Sequence, residues 1–210
     1  MNELLIAEIL GTIAFALSGF YVAVKDRLDL LGIFIASFLT ALGGGVMRDT
    51  IANRPPYTFT HLSPTLLVII VLVLSVVLKL HQKDEIEKKF YFIISDTLGL
   101  VSFSITGALV GLQAEFNFFG VTLLALLTAV GGGVMRDILL NRVPMLLTSD
   151  FYGTVSLLIG AMIFGLEYMG ILSVVSLMVV FVLGVGVRLL AYYKRWNLPK
   201  LVEVIEKNKE

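Results

Sequence analysis

The stretch GGGVMRD occurs twice in this chain, at Gly43–Asp49 and again at Gly131–Asp137, 88 residues apart. Each copy lies towards the end of a long apolar run. Consecutive glycines weaken a helix, and an Arg-Asp pair costs free energy inside a membrane. A pattern this unfavourable that is repeated without change indicates a function or a specific packing arrangement.

The composition around these motifs is that of an all-α integral membrane protein. The chain has 210 residues, 58% of them hydrophobic and only 15% charged, and its mean hydropathy is +0.94. Soluble domains carry about 25% charged residues. The chain contains no Cys, which excludes disulfides, thiol catalysis and cysteine-bound metals. Its 16 basic and 16 acidic residues balance, so nucleic acid is not an expected partner.

Seven apolar runs approach the length of a transmembrane helix. A helix needs about 20 residues to cross a hydrocarbon core of ~30 Å. The first run has no basic segment before it and no small-residue cleavage site, so we expect it to be a retained helix. The predicted spans are 4–24, 30–51, 63–80, 90–112, 118–140, 152–167 and 171–192.

The repeated motif belongs to a longer internal duplication. When the chain is shifted by 88 residues, 12 of 17 positions in 40–56 are identical to 128–144. The same shift aligns Glu8 with Asp96 and Ser18 with Thr106. We therefore predict four segments: a first three-helix repeat at 1–88, a second at 89–168, a seventh helix at 169–193 and a cytoplasmic tail at 194–210.

An odd number of helices per repeat gives the two copies opposite orientations in the membrane. Such inverted repeats are typical of transporters and channels. Basic residues favour the cytoplasmic side, which predicts an outside N-terminus and a cytoplasmic C-terminus. The residues that decide this orientation are Lys25, Arg27, Lys79, Lys83, Lys88, Lys89, Arg136, Arg142, Lys194 and Arg195.

The glycine triplets predict breaks in the second and fifth spans. Gly43 lies about eleven residues past Gly32, or ~16 Å along the helix axis, close to the membrane midplane. Each glycine costs about 1 kcal/mol in a helix relative to alanine. An unwound segment at this depth has to line a cavity, where its carbonyls suit Na⁺, K⁺ or a small zwitterion. The predicted hinge and ion-pathway residues are Gly43, Gly44, Gly45, Gly131, Gly132 and Gly133. The alternative is that these glycines form close helix crossings.

The Arg-Asp pairs are charges within apolar regions and are functional candidates for that reason. They are Arg48 with Asp49 and Arg136 with Asp137. Neighbouring side chains on a helix point about 100° apart, so we expect each to pair with other groups. Two roles remain open, the lining of a pore and the clamping of a turn at a helix end.

Two further pairs of polar residues occupy equivalent places in the repeats. Glu8 and Asp96 could bind a cation, pair with the motif arginines across the pseudo-twofold axis, or lie exposed at the interface. Ser18 and Thr106 could line a path or bond to their own helix carbonyls. Outside the repeat, Arg188 is expected to contact lipid phosphates.

No catalytic or cofactor-binding motif accompanies these residues. The chain has no nucleotide-binding fingerprint, and its two histidines, His61 and His81, are isolated. We therefore expect no enzyme activity, no metal site and no cofactor. Permeant ions are the expected ligands, and bound lipid is a further candidate.

The two copies of GGGxxRD, the three-plus-three-plus-one pattern of helices and the outside N-terminus resemble the prokaryotic TRIC family. These trimeric intracellular cation channels are also known as UPF0126 or glycine-transporter-domain membrane proteins. The resemblance covers about residues 4–195. It implies a homotrimer with a cation pore inside each protomer, and second and fifth helices that are kinked at the glycines.

The resemblance thus implies a channel for K⁺, and also Na⁺, in a prokaryotic inner membrane. Ions would exchange part of their hydration shell for carbonyl and hydroxyl oxygens. The alternative is a secondary transporter for glycine or another small amino acid, because inverted repeats and midplane glycines suit alternating access equally well.

Overall fold

Helices make up all the regular structure in the computed structural model of the protein, which describes residues 2–148 and 151–196. This confirms the all-α fold. Of the predicted tail 194–210, residues 197–210 lie outside the described residues. A 3₁₀ turn at Leu80–Gln82 follows the fourth helix. The helices are α1 Asn2–Lys25, α2 Leu30–Ile51, α3 Tyr57–Thr60, α4 Ser63–Val77, α5 Glu85–Gln113, α6 Phe118–Leu139, α7 Met145–Thr148, α8 Tyr152–Tyr168 and α9 Val174–Tyr193.

Five of these helices are long and apolar enough to cross a membrane, namely α1, α2, α5, α6 and α9. The helices at the third and sixth predicted spans are shorter, with 15 residues in α4 and 17 in α8. At 1.5 Å per residue, α4 extends over only about 22 Å, less than a hydrocarbon core of ~30 Å.

The prediction that the second and fifth spans are broken at the glycines is wrong for this structure. Both α2 and α6 are continuous α-helices through Gly43–Gly45 and Gly131–Gly133. The space that side chains would occupy is instead filled by the opposite helix. Both helices therefore keep their internal hydrogen bonds. Without these bonds, the backbone N–H and C=O groups would have no partners in an apolar environment.

The crossing of α2 and α6 is formed by the two glycine motifs. A methyl group on Gly44 would overlap the carbonyl oxygen of Thr128, and one on Gly132 would overlap that of Thr40. These contacts are reciprocal under the 88-residue shift. Along α2, Thr40 comes before Gly44, whereas along α6 their respective partners, Gly132 and Thr128, come in the reverse order. The two helices therefore run antiparallel. The alternative reading of the glycines, as a close crossing, is the arrangement observed.

Helices α1 and α5 interlock in the same reciprocal way. The Phe103 ring fills the space beside Gly11, where an added methyl would come within 2.5 Å of it, and the Phe15 ring fills the space beside Gly99. The two rings meet edge to face, with centroids 5.2 Å apart. Each repeat thus supplies both the glycine and the aromatic ring that fits the other repeat's glycine.

Equivalent residues also begin and end the repeated helices. Asp29 caps α2 by accepting from the Gly32 N–H at 2.7 Å, and Asn117 caps α6 by accepting from the Gly120 N–H at 2.9 Å. Beyond the C-terminal ends of both helices, Asn53 and Asn141 adopt a φ of 53°. Asparagine tolerates this left-handed conformation better than most residues.

Gly44→Ala should destabilise the protein because its methyl meets a backbone carbonyl that cannot rotate away. Overpacking of this kind costs about 1–3 kcal/mol. Gly45→Ala is the matched control, since the nearest atom, Arg48 Nη2, lies 3.9 Å from its added methyl. Alanine also favours a helix over glycine. Thermal unfolding in detergent should show a lower Tm for Gly44→Ala alone. Equal Tm values would contradict the close crossing.

Candidate functional site

Two cavities lie at opposite ends of α1, and each is lined by one copy of the Arg-Asp pair. The Glu8 cavity, near the start of α1, has a volume of ≈ 240 Å³ and mostly apolar walls. The Asp96 cavity, near its end, has a volume of ≈ 540 Å³. The charged residues that line them are Glu8, Arg48 and Asp49 in the first, and Lys25, Glu85, Lys88, Lys89, Asp96, Arg136, Asp137, Arg142 and Arg188 in the second.

The Arg and Asp of each motif pair with each other, contrary to the sequence-based expectation. Arg48 Nε donates to Asp49 Oδ1 at 2.8 Å, and Arg136 Nε donates to Asp137 Oδ1 at 2.9 Å. All four residues are buried. The long arginine side chain folds back around the helix and overcomes the angular separation of adjacent positions.

Both aspartates also tie the end of their helix to the segment that follows. Asp49 Oδ2 accepts from the N–H of Tyr57, the first residue of α3, at 3.0 Å. Asp137 Oδ2 accepts from the N–H of Met145, the first residue of α7, at 3.0 Å. Arg54 adds a second guanidinium to Asp49 at 2.7 Å. Pore lining and clamping of a helix end are the two roles predicted for the motif charges. The contacts of the two aspartates are those of a clamp at a helix end.

The two arginines differ in their remaining contacts. Arg48 Nη1 lies 2.7 Å from Glu8 Oε1, so the predicted pairing of a carboxylate with a motif arginine occurs within the first repeat and not across the axis. Arg136 Nη1 instead donates to Thr40 Oγ1 of the other repeat at 3.4 Å. The Glu8 side chain is partly buried, which excludes full interfacial exposure.

Asp96 is a buried carboxylate of the second cavity, with 3% of its surface exposed. Its Oδ1 accepts from Ser18 Oγ and from the Tyr152 hydroxyl, both at 3.2 Å. The positive charges of Arg136 and Arg188 also act on it. Asp96 of α5 therefore joins Ser18 of the first repeat and Tyr152 of α8 in one polar network.

Thr106 takes the local one of its two predicted roles, and Arg188 does not take the role predicted for it. Thr106 Oγ1 donates to the Phe103 carbonyl of its own helix at 3.2 Å. Arg188 is 4% exposed and its guanidinium carbon lies 4.8 Å from the Tyr152 ring centroid. The expected contact of Arg188 with lipid phosphates is therefore wrong, because the side chain points into the Asp96 cavity.

Sequence reasoning missed Tyr152 and the two threonines of the crossing. The 88-residue shift places Tyr152 opposite Pro64, so the repeat gave no signal for it. Thr40 and Thr128 do recur in the identical block, and that recurrence could have marked them. Within residues 2–148 and 151–196, no three His, Cys, Asp or Glu side chains converge as a metal site.

Comparison with known proteins places these features in a family. The sequence matches the Glycine transporter domain twice, over residues 5–82 and 93–168. The UPF0126 membrane protein YvgT of Bacillus subtilis is 33% identical over 91% of this chain and 93% of its own length. A crystal structure of a prokaryotic TRIC channel in 0.5 M KCl is 31% identical over 93% of this chain and 98% of that chain, with a TM-score of 0.84. A chain solved to explain conductance through TRIC cation channels is also 31% identical, covers 93% of this chain and 95% of that one, and has a TM-score of 0.82.

Asp137→Asn should destabilise the fold more than Asp49→Asn. Without Asp137, the buried Arg136 has no ion-pair partner among the described residues, whereas Arg48 keeps Glu8. Breaking a buried ion pair costs about 3–5 kcal/mol. Denaturant unfolding in detergent measures both losses.

The double variant Glu8→Gln/Asp49→Asn removes both partners of Arg48 and should lose more stability than the two single variants together. Additive effects, or equal effects of Asp49→Asn and Asp137→Asn, would contradict this assignment of the ion pairs.

Proposed function

Since this chain belongs to the UPF0126 family of membrane proteins, the family that contains the prokaryotic TRIC channels, we propose that it is a monovalent cation channel that conducts K⁺ and also Na⁺. The observation that carries this proposal is its likeness to solved TRIC cation channels over nearly its whole length. The relatives are channels and membrane proteins, and the protein is not an enzyme.

The proposed ion path joins the Glu8 cavity to the Asp96 cavity through the centre of the protomer. Buried hydroxyls lie between the two charged ends, among them Ser18, Thr40 and Thr128. Hydroxyl and carboxylate oxygens can replace water around K⁺ and Na⁺. The path needs no cofactor, and bound lipid is a ligand of the outer surface in this proposal.

In this proposal the α2–α6 crossing closes the path. The carbonyls of Thr40 and Thr128 press against glycines of the opposite helix, and Arg136 reaches across to Thr40. Separation of the two helices would turn both carbonyls towards the path. In this proposal the glycines act as hinges because they alone allow the closed contact and a later change in helix direction.

The finer architecture is part of the same proposal. It comprises seven spans in an inverted three-plus-three arrangement with one added helix, and the segments 1–88, 89–168, 169–193 and 194–210. A homotrimer in a prokaryotic inner membrane, with an outside N-terminus, completes it. The shorter α4 and α8 would be accommodated by local thinning of the bilayer or by neighbouring subunits.

Planar-bilayer recording in K⁺ and Na⁺ gradients tests the function. The purified protein should give unitary cation currents, with K⁺ and Na⁺ both permeant. A carrier for glycine, the activity for which the matched domain is named, would instead give saturable, counterflow-competent uptake of labelled glycine and no unitary currents. That outcome would overturn the channel assignment.

Asp96→Asn should lower the unitary K⁺ conductance roughly tenfold. It removes a negative charge from the path and leaves Arg136 and Arg188, and a unit charge ~10 Å away at an effective dielectric constant of about 20 is worth about 1.7 kcal/mol. Glu115→Gln is the matched control, because Glu115 is exposed and lines neither cavity. Equal conductance of the two variants would remove Asp96 from the path.

A further inference from the structure

The two cavities differ in their net charge. Six basic and three acidic side chains line the Asp96 cavity. The Glu8 cavity has two acidic side chains and one basic side chain, and Arg54, which pairs with Asp49 at 2.7 Å, balances the remaining charge. One end of the proposed path is therefore close to neutral and the other carries an excess of positive charge, so a cation meets repulsion at one end only.

Most charges of the Asp96 cavity are compensated by a neighbour. Lys88 pairs with Glu85 at 3.1 Å, and Arg136 pairs with Asp137 at 2.8 Å. Arg142 pairs with Asp26, and the Arg188 charge acts on Asp96. Because opposite charges lie side by side in these pairs, the pairs contribute little net field.

Lys25 and Lys89 carry the remaining excess. Both side chains are exposed, both line the Asp96 cavity, and neither forms an ion pair within the described part of the chain. They lie on different helices, at the end of α1 and in the first turns of α5. Charged clefts focus the field and change the rate at which ions enter.

We propose that the protein rectifies, passing cations more readily from the Glu8 cavity to the Asp96 cavity than in reverse, and that Lys25 and Lys89 set this asymmetry. The inference rests on the proposed channel function. Cations are depleted at the entrance with the two lysines and are not depleted at the Glu8 entrance. Current in the favoured direction is therefore the larger at equal and opposite voltages.

The salt dependence of the currents provides the first test. The Debye length is about 10 Å at 0.1 M salt and about 3 Å at 1 M. Charges at the entrance to the Asp96 cavity therefore repel entering cations at low salt and are screened at high salt. In symmetric KCl, the ratio of currents at opposite voltages should be about twofold or more at roughly 0.1 M and close to one at roughly 1 M. Lys25→Gln/Lys89→Gln should bring the low-salt ratio close to one.

A reversible change of charge at one position gives the sharper test. The chain has no native Cys, so Lys89→Cys introduces a single thiol. A cationic methanethiosulfonate reagent (trimethylammonium-ethyl) should restore the rectification, and the anionic sulfonatoethyl reagent should weaken or reverse it. Each should act from one chamber only, which identifies the Asp96 side. Lys79→Cys is the matched control, since Lys79 is exposed and lines neither cavity.

The outcomes separate this inference from the channel assignment. Absence of unitary currents overturns the channel function, and rectification with it. Unitary currents that are linear at low salt, or whose rectification is unchanged by the charge at position 89, overturn the inference and leave the channel function standing. Equal responses of Lys79→Cys and Lys89→Cys would also overturn it, because the field would then belong to the whole face and not to the cavity.

Discussion

The contact of a backbone carbonyl with a glycine of the opposite helix is the constraint on which the architecture depends. Thr40 and Thr128 each place their carbonyl where a side chain would otherwise stand. Each Arg-Asp pair lies four to five residues past the second glycine of its motif. Because α2 and α6 run antiparallel through this contact, the two pairs lie on opposite sides of the crossing, towards opposite ends of the protomer. One turn of helix is about 5.4 Å, so the crossing separates the two charged ends by two turns or more.

A symmetric scaffold here supports two chemically different ends. Glu8 is long enough to reach Arg48, whereas the equivalent Asp96 is one methylene shorter and bonds to Ser18 and Tyr152. Arg136 is thereby free to contact Thr40 of the first repeat. Duplication supplied two similar frameworks. Differences in side-chain length, and the presence of Tyr152 in α8 where the first repeat has Pro64, made one end compact and the other wide and basic.

Residue pattern was sufficient for the helices, the duplication and the places of the charged pairs, because hydropathy and repeated identity are local properties. The pattern gave the wrong prediction for the glycine triplets, which was a break in each helix. The cost of glycine within one helix is visible in the sequence. The carbonyl that packs against the glycine belongs to the other helix, 88 residues away, and is not. Arg188 likewise points inward, where its guanidinium lies over the Tyr152 ring. The repeat gives no indication of Tyr152.

The reciprocal fit of the two halves also has a consequence for biosynthesis. Gly44 emerges from the ribosome about 88 residues before Gly132, a delay of roughly 4–18 s at ~5–20 residues per second. During that interval Gly11 and Gly44 lack the Phe103 ring and the Thr128 carbonyl that fill the space beside them in the finished protein. The first half therefore reaches its final packing only when the second half arrives, so folding is completed late and as a single event for both halves.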